Sequence, residues 1–132
     1  MERRPVNTLL CEAGDMATIA FQDLRDKLRE FSRARDWDQF HTPRNLATAL
    51  AVEAAELLEH FQWLRDEESR SLQPETREAV SLEAADVLLY LIRLADKLDL
   101  DLLALAERKI EINAEKYPVA LARGNAKKYT DL

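Results

Sequence analysis

Two acidic pairs, Glu53-Ala-Ala-Glu56 and Glu83-Ala-Ala-Asp86, lie inside stretches that otherwise read as the apolar faces of helices. Residues three apart on a helix project from the same side, so each pair repels itself by about 0.2–0.5 kcal/mol even in water. Desolvation raises that cost, because a buried anion without a partner loses several kcal/mol or takes up a proton. Four converging carboxylates therefore require either raised pKa values or a bound hard cation. Oxygen-only ligands suit Mg²⁺, Mn²⁺ or Ca²⁺ better than zinc.

Continuing each stripe at 3-4-3 spacing puts Glu53, Glu56, His60 and Trp63 on one face and Glu83, Asp86, Tyr90 and Arg93 on another. With a rise of about 1.5 Å per residue, Tyr90 stands about 6 Å and Trp63 about 10 Å along the axis from the nearest acid. Those are nucleotide dimensions, with metal-bound phosphates at one end and a base against aromatic rings at the other. Trp37, Phe40 and His41 could complete a base pocket, since amphipathic rings both stack and hydrogen-bond. Each feature has a plainer reading when taken singly. One pair of acids three apart is commonplace on a solvated helix face, Trp63 or Tyr90 alone is ordinary core, His60 and His41 are packing or surface histidines, and Arg93 neutralises a neighbouring acid. The conjunction carries the metal-site reading: two mid-helix pairs, each flanked by Ala, Val or Leu, with aromatics in phase.

The elements that must hold these groups are helical. Ile19, Phe21, Leu24, Leu28 and Phe31 recur at helical spacing, with Thr18 or Asp15 as N-cap, and predict a helix over about 18–34 preceded by a flexible tail, residues 1–17. After the connector Arg35–His41, Thr42-Pro43 supplies an N-cap and a first-turn proline for a second helix running to about Leu64. The polar run Arg65–Ser71 reads as a loop, and Pro74 starts a third helix through Leu98. A break at Asp99-Leu100-Asp101, with Asp101 as N-cap, opens a fourth helix ending near Tyr117-Pro118, followed by coil. The third helix is apolar nearly all round at Val87, Leu88, Leu89, Leu91 and Ile92 and must be covered on two sides, which points to association of copies.

Composition agrees. Two glycines and four prolines in 132 residues, with abundant Ala, Leu, Glu, Arg and Asp, indicate an all-α chain with one domain over residues 18–132. The single Cys11 excludes an internal disulfide, and no segment reaches the roughly 18 consecutive apolar residues of a membrane span, so a cytoplasmic protein without a membrane role is expected. The apolar part of the N-terminal segment is too short and interrupted for a secretion signal. A net charge of −6 argues against a partner such as a nucleic acid polymer. The charge is uneven: residues 108–132 carry six Lys or Arg against three acids, leaving the remainder strongly acidic. Other chemistries lack their residues. There is no Gly-rich phosphate loop, Cys11 has no histidine nearby in sequence for thiol catalysis, and a di-iron bundle would need a Glu three residues before His60, where Leu57 stands.

The order Glu-x-x-Glu, a gap of 26 residues, then Glu-x-x-Asp, all on helices, resembles the all-α nucleoside triphosphate pyrophosphohydrolases, the MazG-like superfamily. Asp36–Leu46 (Asp-Trp-Asp-Gln-Phe-His-Thr-Pro-Arg-Asn-Leu), Phe61-Gln-Trp63, Asp86-Val-Leu-Leu-Tyr90, the ending Lys116-Tyr-Pro-x-x-x-Ala-Arg123 and Lys128-Tyr-Thr130 are similar to its dCTP pyrophosphatase branch. The likeness spans roughly residues 19 to 130. It implies a four-helix-bundle-like fold assembled as a dimer or a dimer of dimers, hence a homotetramer, and hydrolysis of a nucleoside triphosphate to the monophosphate and pyrophosphate in nucleotide-pool sanitation. It also implies Glu53, Glu56, Glu83 and Asp86 as ligands of Mg²⁺, with Mn²⁺ as a substitute. By the same likeness Trp37, Asp38, Gln39, Phe40, His41, Trp63 and Tyr90 line the nucleotide pocket, while Lys109, Asn113, Lys116, Arg123, Lys127, Lys128 and Tyr129 are candidates for phosphate contacts. One departure bears on the base: where that branch can present a histidine in the first helix, this chain has Leu28.

In such a site a carboxylate not fully used in coordination orients or deprotonates the attacking water, Glu56 or alternatively Glu53, and spacing does not choose between them. The substrate reading is dCTP or a modified dCTP. The alternatives are another dNTP such as dUTP, or a noncatalytic helical module that takes a divalent ion for stability.

Overall fold

The computed structural model describes the backbone of residues 8–132 and the side chains of residues 21–132. Among them there are helices and turns and no strand: α1 (Thr8–Ala34), α2 (Pro43–Glu59), α3 (Asp66–Ser69), α4 (Pro74–Lys97), α5 (Leu102–Lys116) and α6 (Val119–Ala122), with single 3₁₀ turns at Asp38–Phe40 and Tyr129–Asp131. Two compact units divide the chain, Met1–Leu98 and Asp99–Leu132. In the first, α2 and α1 both pack on α4. Leu46, Ile92 and Ala95 are buried there, and so are two polar side chains, Ser32 and Arg93.

Local chemistry explains most boundaries. Thr42 accepts a hydrogen bond from the Asn45 amide at 3.2 Å, and Pro43 occupies the first turn of α2. Pro74 does the same for α4, and Asp101 caps α5 by accepting from the Ala104 amide at 3.1 Å. The end of α1 is a Schellman motif. Asp36 takes the left-handed conformation (φ 52°), its amide donates to the Arg33 carbonyl at 3.1 Å, and the Trp37 amide donates to the Ser32 carbonyl at 2.9 Å. Aspartate tolerates that conformation better than most residues with a side chain. The motif ties the backbone of Trp37 to the last turn of α1.

Four boundaries differ from the sequence reading. Helix α1 begins at Thr8 rather than near 18, since Leu9, Leu10, Glu12 and Ala13 are good helix formers and Gly14 alone opposes them by about 1 kcal/mol. Of the expected tail, residues 1–7 lie outside the described residues, as do the side chains of the N-cap candidates Asp15 and Thr18. Helix α2 ends at Glu59, not Leu64: the Phe61 amide turns back to the Leu58 carbonyl at 2.9 Å and the chain continues in turns. The stripe from Glu53 to Trp63 is therefore broken before its tryptophan. The expected loop Arg65–Ser71 contains α3, because Glu68 accepts from the Arg65 amide at 2.8 Å and three acids occupy its positive end. The expected coil after Pro118 holds α6 and a final 3₁₀ turn.

Candidate active site

Packing α2 against α4 brings the acidic pairs together. Glu53, Glu56 and Glu83 each offer a carboxylate oxygen within 4.8 Å of the others. Glu53 and Glu83 are partly buried and Glu56 is exposed. Burial pushes the Glu53 carboxyl above its ordinary value, and the charges of Glu56, Asp86 and Glu83 add to the push. Asp86 is thus close enough to act on Glu53, although it stands outside the tight trio. Such an all-carboxylate set fits a hard divalent cation: oxygen ligands only, excess negative charge, and one member whose pKa is raised by burial and by its acidic neighbours. The His60 Nε2 lies 3.9 Å from a Glu83 oxygen.

Asp86 also opens the route to the aromatics. One turn further along α4 is Tyr90, and the two line a cleft of about 360 Å³ with Leu24, Leu28, Phe31, Trp37, His41 and Leu89 among its walls. That size, largely apolar with a few polar groups, is within the usual range for a small-ligand site of about 300–1,000 Å³. Trp37 packs edge-on against Phe31 (centroids 5.7 Å, 70° between planes) and stands 6.4 Å from the His41 ring. Arg35 lies 3.6 Å over the other ring of that pair, Phe31. The cleft walls therefore combine a carboxylate with several aromatic rings.

His41 is fastened from behind. Its Nδ1 is 3.3 Å from the Ser32 hydroxyl and accepts from Arg93 Nε, also at 3.3 Å. The other guanidinium nitrogens of Arg93 donate to Asp96 at 3.1 Å and to Asp38. Lys97 also donates to Asp38, at 2.7 Å, and Arg29 bridges from α1 to Asp96 at 2.8 Å. Hydrogen bonding to Lys97 holds the Asp38 carboxyl below the usual carboxylate range, and Arg29 does the same for Asp96. Burial, with the nearby Arg93 charge, lowers the His41 pKa.

The connector candidates separate accordingly. Trp37 and His41 line the cleft with Tyr90, whereas Asp38 faces a second, polar cavity formed with Arg29, Arg33, Arg93, Asp96 and Lys97. Gln39 donates to the Asp36 carbonyl and carboxylate, both at 3.0 Å, and the Phe40 ring is mostly exposed. Trp63, in the turn after α2, is 86% exposed and outside the cleft in the single chain. The basic candidates belong to the second unit. Lys109, Asn113 and Lys116 share a face of α5, Lys116 Nζ lies 4.9 Å over the Tyr129 ring, and Tyr129 packs edge-on against Tyr117. Arg123 and Lys128 are exposed at the ends of α6 and of the stretch that follows it.

Residues 48–132 match the MazG-like family. The chain belongs to that family. Among curated relatives it is 47% identical to dCTP pyrophosphatase 1 of Rattus norvegicus and 44% identical to dCTP pyrophosphatase 1 of Homo sapiens, each over 113 residues and 84% of this chain. The matched region spans 66% of the length of either relative. A pyrophosphatase from Archaeoglobus fulgidus has a solved structure that superimposes with a TM-score of 0.71 at 42% identity, covering 75% of this chain and 93% of that one.

Sequence reasoning placed Leu28 of α1 near the base but missed Ser32 and Asp96, which stand behind His41 and Arg93. Ser32 carried a signal: it falls four residues after Leu28 on the apolar stripe, a polar residue where packing alone would prefer an aliphatic one. Asp96, three residues after Arg93, was the matching signal on α4.

Proposed function

We propose that this chain is a Mg²⁺-dependent nucleoside triphosphate pyrophosphohydrolase that converts a dNTP, dCTP or a modified dCTP before others, to the monophosphate and pyrophosphate. The observation that carries the proposal is the convergence of Glu53, Glu56 and Glu83 within 4.8 Å, with Asp86 leading from that trio into the aromatic cleft. The names of its relatives support the bond and the base.

Glu53, Glu56, Glu83 and Asp86 would hold the ion, which when bound neutralises triphosphate charge and acidifies water. The chain's own residues do the rest. Glu56, the exposed member of the trio, has the access needed to orient a water toward the α-phosphorus and take its proton; Glu53 is the alternative. Trp37 and Tyr90 clamp the base between apolar faces, His41 hydrogen-bonds it, and the apolar walls exclude bulk water. Asp38, Gln39 and Phe40 shape the connector that presents Trp37 and His41, and Trp63 reaches a base only where another chain or a bound ligand covers it. Lys109, Asn113, Lys116, Arg123, Lys128 and Tyr129 are the phosphate-side candidates of the second unit.

Val52, Leu58, Leu82 and Leu88 on α2 and α4 are 43–61% exposed, which supports a homo-oligomer, read here as a tetramer built from two dimers. The lone cysteine suits a reducing cytoplasm. A panel of canonical and modified nucleoside triphosphates, assayed for pyrophosphate against orthophosphate, tests the reading. Pyrophosphate from dCTP or a modified dCTP is the expected product. Orthophosphate release, or no turnover of any triphosphate with Mg²⁺, contradicts it.

A further inference from the structure

The polar network behind the cleft gives Arg93 a role that its salt bridges alone do not. An arginine is always a donor, so the nitrogen that receives its Nε–H must carry a lone pair. Arg93 Nε points at Nδ1 of His41 from 3.3 Å, and the guanidinium has no freedom to turn away, because its other two nitrogens are engaged by Asp96 and Asp38 and its side chain is only 6% exposed. Asp96 is held in turn by Arg29, and Asp38 by Lys97. Nδ1 of His41 is therefore unprotonated, and the ring proton resides on Nε2.

We propose that Arg93 is a positioning residue for base recognition: through Nδ1 it locks His41 as the neutral Nε2–H tautomer, so that the imidazole meets the nucleobase as a hydrogen-bond donor to a ring nitrogen or carbonyl oxygen. The proposal rests on the nucleotide reading of the cleft. The groups around the imidazole favour the same state. Burial and the Arg93 and Lys97 charges oppose a second proton, with Asp38 alone acting the other way, and Ser32 from α1 adds a neutral contact to Nδ1. Across the cleft, Asp86 and Tyr90 of α4 and Lys27 of α1 complete the charged and titratable groups of the walls. A base edge that presents an acceptor finds a donor already in place, while one that presents an N–H at the same point meets another N–H, which is a means of selecting bases without any net charge.

The test reads the tautomer directly. The chain has two histidines, so ¹⁵N-edited imidazole spectra of the whole chain, with His60→Gln to assign the remaining ring, report which nitrogen of His41 is protonated. The expected result at neutral pH is Nε2–H with Nδ1 bare, and in Arg93→Lys, which keeps the charge but not the Nε–H, a mixed or protonated imidazole. With dCTP, Arg93→Lys should raise KM by about tenfold with kcat within about twofold, the pattern of a lost binding contact rather than of lost folded enzyme. A wild-type His41 that is Nδ1-protonated or an imidazolium overturns the inference, as does an Arg93→Lys protein with unchanged tautomer and KM. Absence of any nucleotide turnover by the wild type would remove the enzymatic reading instead, and the spectra of wild type and Arg93→Lys would still decide whether Arg93 sets the tautomer.

Discussion

At the scale of the residue, the decisive feature is negative charge gathered where it is poorly solvated. Glu53 is the focus, since burial and three neighbouring carboxylates all raise its pKa. Glu53→Gln should abolish pyrophosphate release, by about 100-fold or more if it serves both ion and water. Its helical circular dichroism should be unchanged and its metal-free melting temperature equal or slightly higher, because one like charge has been removed. Asp86→Asn should lose activity in the same way. Turnover that survives either change in a clean preparation would count against the site. The two pairs were legible in the sequence because helical spacing converts three-residue intervals into one face. Their uneven grouping was not: whether Asp86 closes with the other three depends on how α2 and α4 are rotated against one another, a property of packing.

At the scale of the element, α4 is the common support of the first unit, with α2 and α1 packed on it. Leu46, at 1% exposure, is among its most enclosed contacts, and Leu46→Ala should cost about 3 kcal/mol in urea denaturation, within the range for aliphatic truncations in a core. The polar tie is Asp96, which joins Arg29 of α1 to Arg93 of its own helix. Asp96→Asn leaves the buried Arg93 short of one anionic partner and should cost about 2 kcal/mol at neutral pH. Because the folded chain lowers the Asp96 pKa from its ordinary 3.8, the stability it lends is full above that value and fades as pH falls through the lowered one. The gap in urea midpoint between wild type and Asp96→Asn should therefore narrow on acidification below about pH 4, and a gap that widens there would contradict the ion-pair account. Helix starts marked by Thr42-Pro43, Pro74 and Asp101 were legible because caps and first-turn prolines are local chemistry. The end of α2 was not, since no glycine or proline marks Glu59 and the turn back to Leu58 leaves no sign in composition. Nor was the start of α1, where a continuous run of helix formers outweighs one glycine.

At the scale of the molecule, charge is divided unevenly along the chain, with residues 108–132 carrying six Lys or Arg against three acids and the rest strongly acidic. No helix among the described residues is long and apolar enough to cross a membrane. Under the proposed oligomer, the exposed aliphatic residues of α2 and α4 would meet copies of the same chain. Light scattering should give a mass several times that of the 15.2 kDa chain, whereas a monomer at micromolar concentration would remove the oligomer from the account. Thermal melts separate an enzyme from an ion-stabilised helical module. Mg²⁺ should raise the melting temperature, and dCTP with Mg²⁺ should raise it further, by an amount that grows with nucleotide concentration as linkage requires. A module would gain from the ion alone. The central claim, that the α2 and α4 carboxylates share a cation that meets a triphosphate, is tested most directly by anomalous diffraction from crystals grown with Mn²⁺ and a non-hydrolysable dCTP analogue. The account predicts manganese at about 2.1 Å from oxygens of Glu53, Glu56 and Glu83 and of the analogue's phosphates, with the base beside Trp37 and Tyr90. Manganese elsewhere, or an analogue bound with those carboxylates turned away from it, would contradict it.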